Sequence, residues 1–193
     1  MNLPNKLTVM RVILIPFVMF FYLASFIPGG KIVAIILFVV AAFTDFLDGK
    51  IARSRNLVTD FGKFLDPIAD KLLVSCVLFM IAIDHTIPQP WGVICVSLII
   101  GRELIIDAFR LIACTKGKVL AADILGKAKT MVQCWTMPLC ILLSYLMFDL
   151  SVTGTGIFVF KIVCYVLLGV STLLTVLSGI NYFVKNKGVI STK

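Results

Sequence analysis

Charge is what this sequence has least of. Lys, Arg, Asp and Glu make up 15% of its 193 residues, against about a quarter in soluble globular domains. Hydrophobic residues make up 60%, and the mean hydropathy is +1.08. A soluble core is excluded, and the composition is that of an integral membrane protein. Acid is scarcer than base: 10 Asp and Glu stand against 18 Lys and Arg. The excess of base does not point to nucleic acid, because the basic residues fall at the ends of apolar runs, as the positive-inside rule expects. The single histidine, His85, sits in the Pro-flanked loop DHTIPQP and is given no role. Cys76, Cys95, Cys114, Cys134, Cys140 and Cys164 lie in or beside apolar runs. They lack metal-ligand or redox spacing, so small buried hydrophobes are expected. The first apolar run has no convincing small-residue cleavage site and reads as a retained span. There is no internal repeat, low-complexity segment or soluble domain. Residues 1–193 read as one all-α membrane domain.

What is present is a series of apolar runs. Met1 to Leu7 is a short polar start in which Pro4 suits a first helical turn and Asn5 or Thr8 a cap. Leu7 to Phe26 is long enough to cross a bilayer. Arg11 sits about a turn inside it, on one helical face with Asn5 and Thr8. That face reads equally as capping with a snorkelling arginine or as a phosphate contact. A Pro-Gly-Gly turn covers Ile27 to Lys31, and Ile32 to Phe43 forms the second run. Leu72 to Ile83 completes the third, and Trp91 to Ile100 begins the fourth. Arg102, Glu103, Asp107 and Arg110 follow at three- and four-residue steps. They read as the ion pairs Arg102–Glu103 and Asp107–Arg110, with Arg110 the best anion-binding candidate. Thr115 to Lys129 is the longest polar connection. Met131 to Phe148 is the fifth span, expected to kink at Pro138. A small-residue loop, Asp149 to Gly156, leads to the sixth span, Ile157 to about Val184. Six transmembrane helices put both termini on one side, and the distribution of Lys and Arg makes that side cytoplasmic.

The stretch from Asp45 to Asp70 concentrates the scarce acid. Within one helix, Asp45, Asp48, Gly49 and Ala52 share a face. Within the next, Gly62, Asp66 and Asp70 recur every four residues. A tight turn from Ser54 to Phe61 makes the two helices antiparallel neighbours, so the four carboxylates converge at the cytoplasmic end of helices 2 and 3. Carboxylates so placed repel unless cations neutralise them, and a hard oxygen set suits Mg²⁺, Mn²⁺ or Ca²⁺. Two such ions stabilise a phosphoryl displacement. The structural alternative is that these acids cap helices or pair with Lys50, Arg53 or Lys63. Ionisable groups at a bilayer edge favour the functional reading.

Written as spacing, the segment is D-x-x-D-G-x-x-A-R-x8-G-x-x-x-D-x-x-x-D, filled by Asp45, Asp48, Gly49, Ala52, Arg53, Gly62, Asp66 and Asp70. It resembles the signature of the CDP-alcohol phosphatidyltransferases, with every fixed position matched. The resemblance implies attack of a hydroxyl on the lipid-side phosphorus of CDP-diacylglycerol, with CMP leaving. It implies two divalent metals, Mg²⁺ or Mn²⁺, held by Asp45, Asp48, Asp66 and Asp70, with Asp70 as general base. Asn5, Thr8, Gly49, Ala52, Arg53 and Thr59 would contact CDP-diacylglycerol. Arg53 suits a forked contact to phosphate or a cytosine carbonyl, and Gly62 would let the helices pack closely. The stretch GKAKTMVQ, Gly126 to Gln133, resembles that of family members that use sn-glycerol 3-phosphate. Arg11, Lys63, Arg110, Lys127 and Lys129 would then balance the acceptor's dianionic phosphate. Inositol phosphate would also need cations, whereas serine would not explain so many. A divalent-cation channel or transporter is the reading from another class; Gly49, Ala52 and Arg53 have no evident use in it. The resemblance also implies a homodimer in the plasma membrane.

Overall fold

A computed structural model describes residues 3–54, 60–84, 86–115 and 124–186. Among them are six α-helices, one π-helical turn and no strand. The helices are α1 (Leu3–Leu23), α2 (Gly30–Ser54), α3 (Asp60–Ile83), α4 (Trp91–Thr115), α5 (Ile124–Ser144) and α6 (Thr155–Asn186), with the π-turn Tyr145–Asp149 closing α5. The all-α class and the six helices match the apolar runs. Among the described residues, three stretches are long and apolar enough to cross a membrane: Asn5–Leu23, Leu125–Asp149 and Thr155–Asn186, and Gly30–Thr44 of α2 is a shorter apolar stretch.

The bundle is built as a membrane protein is built. α1 lies against α2 and α3, α4 against α6 and α3, and α5 against α6 and α2. Val18, Phe38, Val77, Ile99, Met137, Ile141 and Leu168 are buried between them. Large apolar side chains also cover the outside, among them Phe17, Phe43, Leu104, Leu111, Trp135 and Leu173. Lipid is as apolar as leucine, so small and weakly polar residues take up the interior faces. Ala34, Ala41, Ala69, Ser171, Thr175 and Ser178 are buried there. Thr172 and Thr175 donate back to the carbonyls of Leu168 and Ser171 at 2.8 and 2.7 Å, which satisfies the hydroxyls within their own helix.

Glycine decides the first turn. Gly29 adopts φ +76°, and a Cβ on Gly30 would lie 2.6 Å from the carbonyl oxygen of Phe21. Only a residue without a side chain lets α2 begin so close to the end of α1. Lys31 then pairs with Asp149 at 2.9 Å and lies over the rings of Phe148 and Tyr22.

Beside this turn, Asp84 ties four elements together. Its carboxylate accepts from the hydroxyls of Tyr22 on α1, Thr86 and Ser144 on α5, and from the Thr86 backbone N–H at 2.9 Å. Tyr165 on α6 donates to the Thr86 carbonyl at 3.2 Å.

Several expectations need correction. Asn5 and Thr8 are not caps, because α1 already begins at Leu3 and both are buried. Arg11 does not snorkel; it is fully buried. The polar connection after Thr115 is shorter than its composition suggests. Ile124 starts α5, so Lys127 and Lys129 are helical, in a segment whose Ala, Leu and Lys are good helix formers. Among the cysteines, Cys95, Cys140 and Cys164 are buried as expected, but Cys114 and Cys134 are exposed. His85 lies outside the described residues.

Candidate active site

The charge gathers where the middle of α3 and of α4 meets the first turns of α5. α3 brings Asp70 and Lys71, α4 brings Arg102, Glu103, Asp107 and Arg110, and α5 brings Lys127 and Lys129. These residues, with Tyr182 of α6, line a cavity of about 240 Å³. Five cationic side chains stand with three carboxylates in its wall, which leaves the lining net positive.

Ion pairs fix part of this wall. Lys129 pairs with Glu103, and Lys71 with Asp107. Arg102 lies 3.7 Å from Glu103, as the sequence suggests. Asp107 does not pair with Arg110: it faces α3, where Lys71 meets it. Arg110 turns to α6 instead. Its Nε donates to the Tyr182 hydroxyl at 3.2 Å, and its guanidinium lies 5.5 Å from the centre of that ring. The Tyr182 ring in turn packs edge-on against Phe109, centroids 5.9 Å apart. Arg102 is also held by α6. Its Nη2 donates to the Ser178 hydroxyl at 2.8 Å, and a Cβ on Gly179 would come within 3.0 Å of its Cγ. α6 therefore shapes the cationic wall with a hydroxyl, a missing side chain and a ring.

Two smaller chambers adjoin the first. One, of about 60 Å³, is shared by Asp70, Lys71, Glu103, Lys129, Thr130 and Gln133. The other, of about 100 Å³, lies among Arg11, Phe38, Asp70, Leu73, Gln133 and Met137. Asp70 and Thr130 line all three. An exposed carboxylate thus stands where a cationic chamber meets a largely apolar one.

Of the sequence candidates, Asp70, Arg110, Lys127 and Lys129 come together around the first cavity. Arg11 faces the apolar chamber rather than the cationic one. Asn5 and Thr8 are buried on α1, at one- and two-turn intervals from it. Asp45, Asp48, Gly49, Ala52 and Arg53 belong to α2, and Gly62, Lys63 and Asp66 to α3; their side chains lie outside the described ones, as does Thr59 entirely. Lys71, Gln133 and Tyr182 were not singled out by the sequence reading. Lys71 had one signal, its place beside Asp70. Tyr182 had none, since an aromatic in the last apolar run reads as lipid-facing.

Comparison with known proteins places the chain in a family. The family model for CDP-alcohol phosphatidyltransferase matches residues 1–180. The chain belongs to that family. A Bacillus subtilis (strain 168) protein named CDP-diacylglycerol–glycerol-3-phosphate 3-phosphatidyltransferase is 41% identical over 202 residues, covering 99% of this chain and 98% of its own. A Rickettsia bellii protein of the same name is 37% identical, over 94% of this chain and 93% of its own. A Mycobacterium tuberculosis (strain H37Rv) protein named probable phosphatidylglycerophosphate synthase is 36% identical, over 94% of this chain and 79% of its own. Membership sets the motif of α2 and α3 and the cationic chamber within one enzyme family.

Proposed function

We propose that this chain transfers the phosphatidyl group of CDP-diacylglycerol to sn-glycerol 3-phosphate, giving phosphatidylglycerophosphate and CMP. The observation that carries the acceptor is the cationic cavity, in which Arg102, Arg110, Lys127 and Lys129 stand within one chamber with Asp70. A dianionic acceptor phosphate fits there. Its free hydroxyl then lies at Asp70, at the edge nearest the lipid-compatible chamber.

Asp70 takes the hydroxyl proton as the oxygen attacks phosphorus. Arg110, Lys127 and Lys129 hold the acceptor so that attack is effectively intramolecular. Glu103 is shared between Lys129 and Arg102. Arg53, Gly49, Ala52 and Thr59, with Asn5 and Thr8, are assigned to CDP-diacylglycerol, and Arg11 and Lys63 complete the positive surroundings of the phosphates. A set of four carboxylates, Asp45 and Asp48 on α2 with Asp66 and Asp70 on α3, is a hard, anionic donor set; it suits two Mg²⁺ or Mn²⁺ ions. Such ions, when bound, neutralise the diphosphate and the charge that grows on the leaving CMP.

The six helices are assigned as six spans, with both termini and the charged chamber on the cytoplasmic face of the plasma membrane, where a soluble acceptor meets a lipid donor. The excess of Lys and Arg at that face supports the orientation. A homodimer is the assembly proposed.

The test supplies purified protein and CDP-diacylglycerol with glycerol 3-phosphate, inositol phosphate or serine in parallel, and measures CMP release. Release with glycerol 3-phosphate alone is expected. Release with another acceptor instead reassigns the cationic chamber. EDTA should abolish turnover and added Mg²⁺ restore it, and Asp45→Asn or Asp66→Asn should be inactive even with Mg²⁺. Full activity in EDTA would refute the metal assignment.

A further inference from the structure

Gln133 lines the chambers and is 5% exposed, and among the described residues its Nε2 has no hydrogen-bond partner. Its neighbours on α5 solve the same problem locally. Thr130 donates to the Gly126 carbonyl at 3.0 Å and Thr136 to the Val132 carbonyl at 2.7 Å. A buried donor left unsatisfied is costly, and its persistence asks for a ligand. Gln133 lines both the 60 Å³ chamber and the 100 Å³ chamber, each of which it shares with Asp70.

The position narrows the ligand. Lys129 and Gln133 are four residues apart on α5, so they share a face about 6 Å apart along its axis. The phosphate assigned to the cationic chamber lies by Lys129. The hydroxyl that attacks lies by Asp70. The carbon between them carries the acceptor's remaining hydroxyl, and the small polar chamber joining Lys129, Asp70 and Gln133 is where that group would fall. The chamber has room for a small polar group and none for an acyl chain.

We propose that Gln133 is a specificity residue whose carboxamide donates to the secondary hydroxyl of a glycerol phosphate acceptor. The proposal rests on the acceptor reading above. In that division of labour the cations select for phosphate, and Gln133 selects for the polyol. A site that presents a buried donor to a hydroxyl discriminates strongly against the analogue lacking it, because the donor is again left unpaired.

The experiment compares glycerol 3-phosphate with 3-hydroxypropyl phosphate, which lacks only the secondary hydroxyl. CMP release from CDP-diacylglycerol is followed for the wild-type protein and for Gln133→Met, which keeps the volume and removes the donor. Wild type should prefer glycerol 3-phosphate in kcat/KM by about ten- to a hundredfold. In Gln133→Met the ratio should fall to within about threefold, through loss on glycerol 3-phosphate, with the KM for CDP-diacylglycerol unchanged. If Gln133→Met does not fold, Gln133→Asn, which withdraws the carboxamide by one methylene, should lower the ratio in the same direction. Equal use of both acceptors by wild type overturns the proposal without any variant. So does an undiminished ratio in the variants, or a defect confined to CDP-diacylglycerol, which would place the carboxamide on the lipid donor. Absence of CMP release with either acceptor, alongside release with serine or inositol phosphate, overturns the acceptor reading and the proposal with it.

Discussion

Asp70 lies near the middle of α3 and Asp84 past its end, and the two are used in opposite ways. Asp84, just beyond α3, accepts hydrogen bonds from three hydroxyls and a backbone N–H contributed by α1, α5 and its own loop. Two hydrogen bonds reach each oxygen of that carboxylate, which fills it. Asp70 is exposed, and three chambers meet at it. The polar groups around Asp84 are neutral hydroxyls that fit one geometry. Those around Asp70 are long cationic and acidic chains, partly paired with one another and presented to open space. A carboxylate saturated by short donors holds helices together; one left facing a cavity lined by mixed charge is available for chemistry.

The largest test of this contrast is Asp70→Asn. The amide keeps size and loses the ability to accept a proton. Turnover should fall by about a hundred- to ten-thousandfold, the range general-base catalysis contributes, with binding of both substrates and thermal stability close to wild type. A Tm loss as large as the activity loss would make Asp70 a structural acid like Asp84.

The reciprocal change is Asp84→Ala. Tyr22, Thr86 and Ser144 would each lose their acceptor at once. Hydrogen bonds to a charged group contribute about 1.5–3 kcal/mol, and Asp84 is only part-buried, so about 2–3 kcal/mol in all is expected. The measurement is thermal unfolding in detergent, read beside steady-state kinetics at a temperature where the variant is folded. There kcat and both KM values should stay within about twofold of wild type, no more than the smallest effect expected of one lost hydrogen bond at the site. An unchanged Tm would show that the hydroxyl cluster does not hold the helices.

The two regions also differ in how far the sequence reveals them. The acidic motif was legible because its spacing obeys the helix: steps of three and four put Asp45 with Asp48, and Asp66 with Asp70, on single faces. The six helices were legible from apolar runs bounded by Pro, Gly and charge. What escaped was pairing between helices. Asp107 has Arg110 one turn away, which local spacing favours, yet α3 presents Lys71 to it, and Arg110 is drawn to an aromatic on α6. Lys127 and Lys129 read as loop lysines because polar composition in a short segment does not distinguish a connection from the first turns of a helix. Asp84 drew no attention at all: its partners Tyr22 and Ser144 are distant in the chain, and Tyr22 sits in an apolar run that by pattern faces lipid.

The finest test lies within the charged region, at Tyr182. If that region is a working site, even its outermost polar contact should act on substrate more than on folding. Tyr182→Phe removes one hydroxyl and keeps the ring, so the packing on Phe109 and the cation lying over the ring both survive. Only the 3.2 Å hydrogen bond from Arg110 Nε is lost. A single contact of this kind contributes about 0.5–1.5 kcal/mol, which corresponds to about a two- to tenfold change. Arg110 would remain charged and in the chamber but less well aimed, so the KM for glycerol 3-phosphate should rise by that factor. kcat should hold, because Asp70 is untouched, and the KM for CDP-diacylglycerol should hold, because the donor is assigned to other residues. Tyr182→Ala removes the ring as well and should raise the same KM further while also lowering Tm, since Phe109 loses its edge-on partner. A Tyr182→Phe variant with wild-type KM and a lowered Tm would place Tyr182 with the hydroxyls around Asp84, as a fastener of helices.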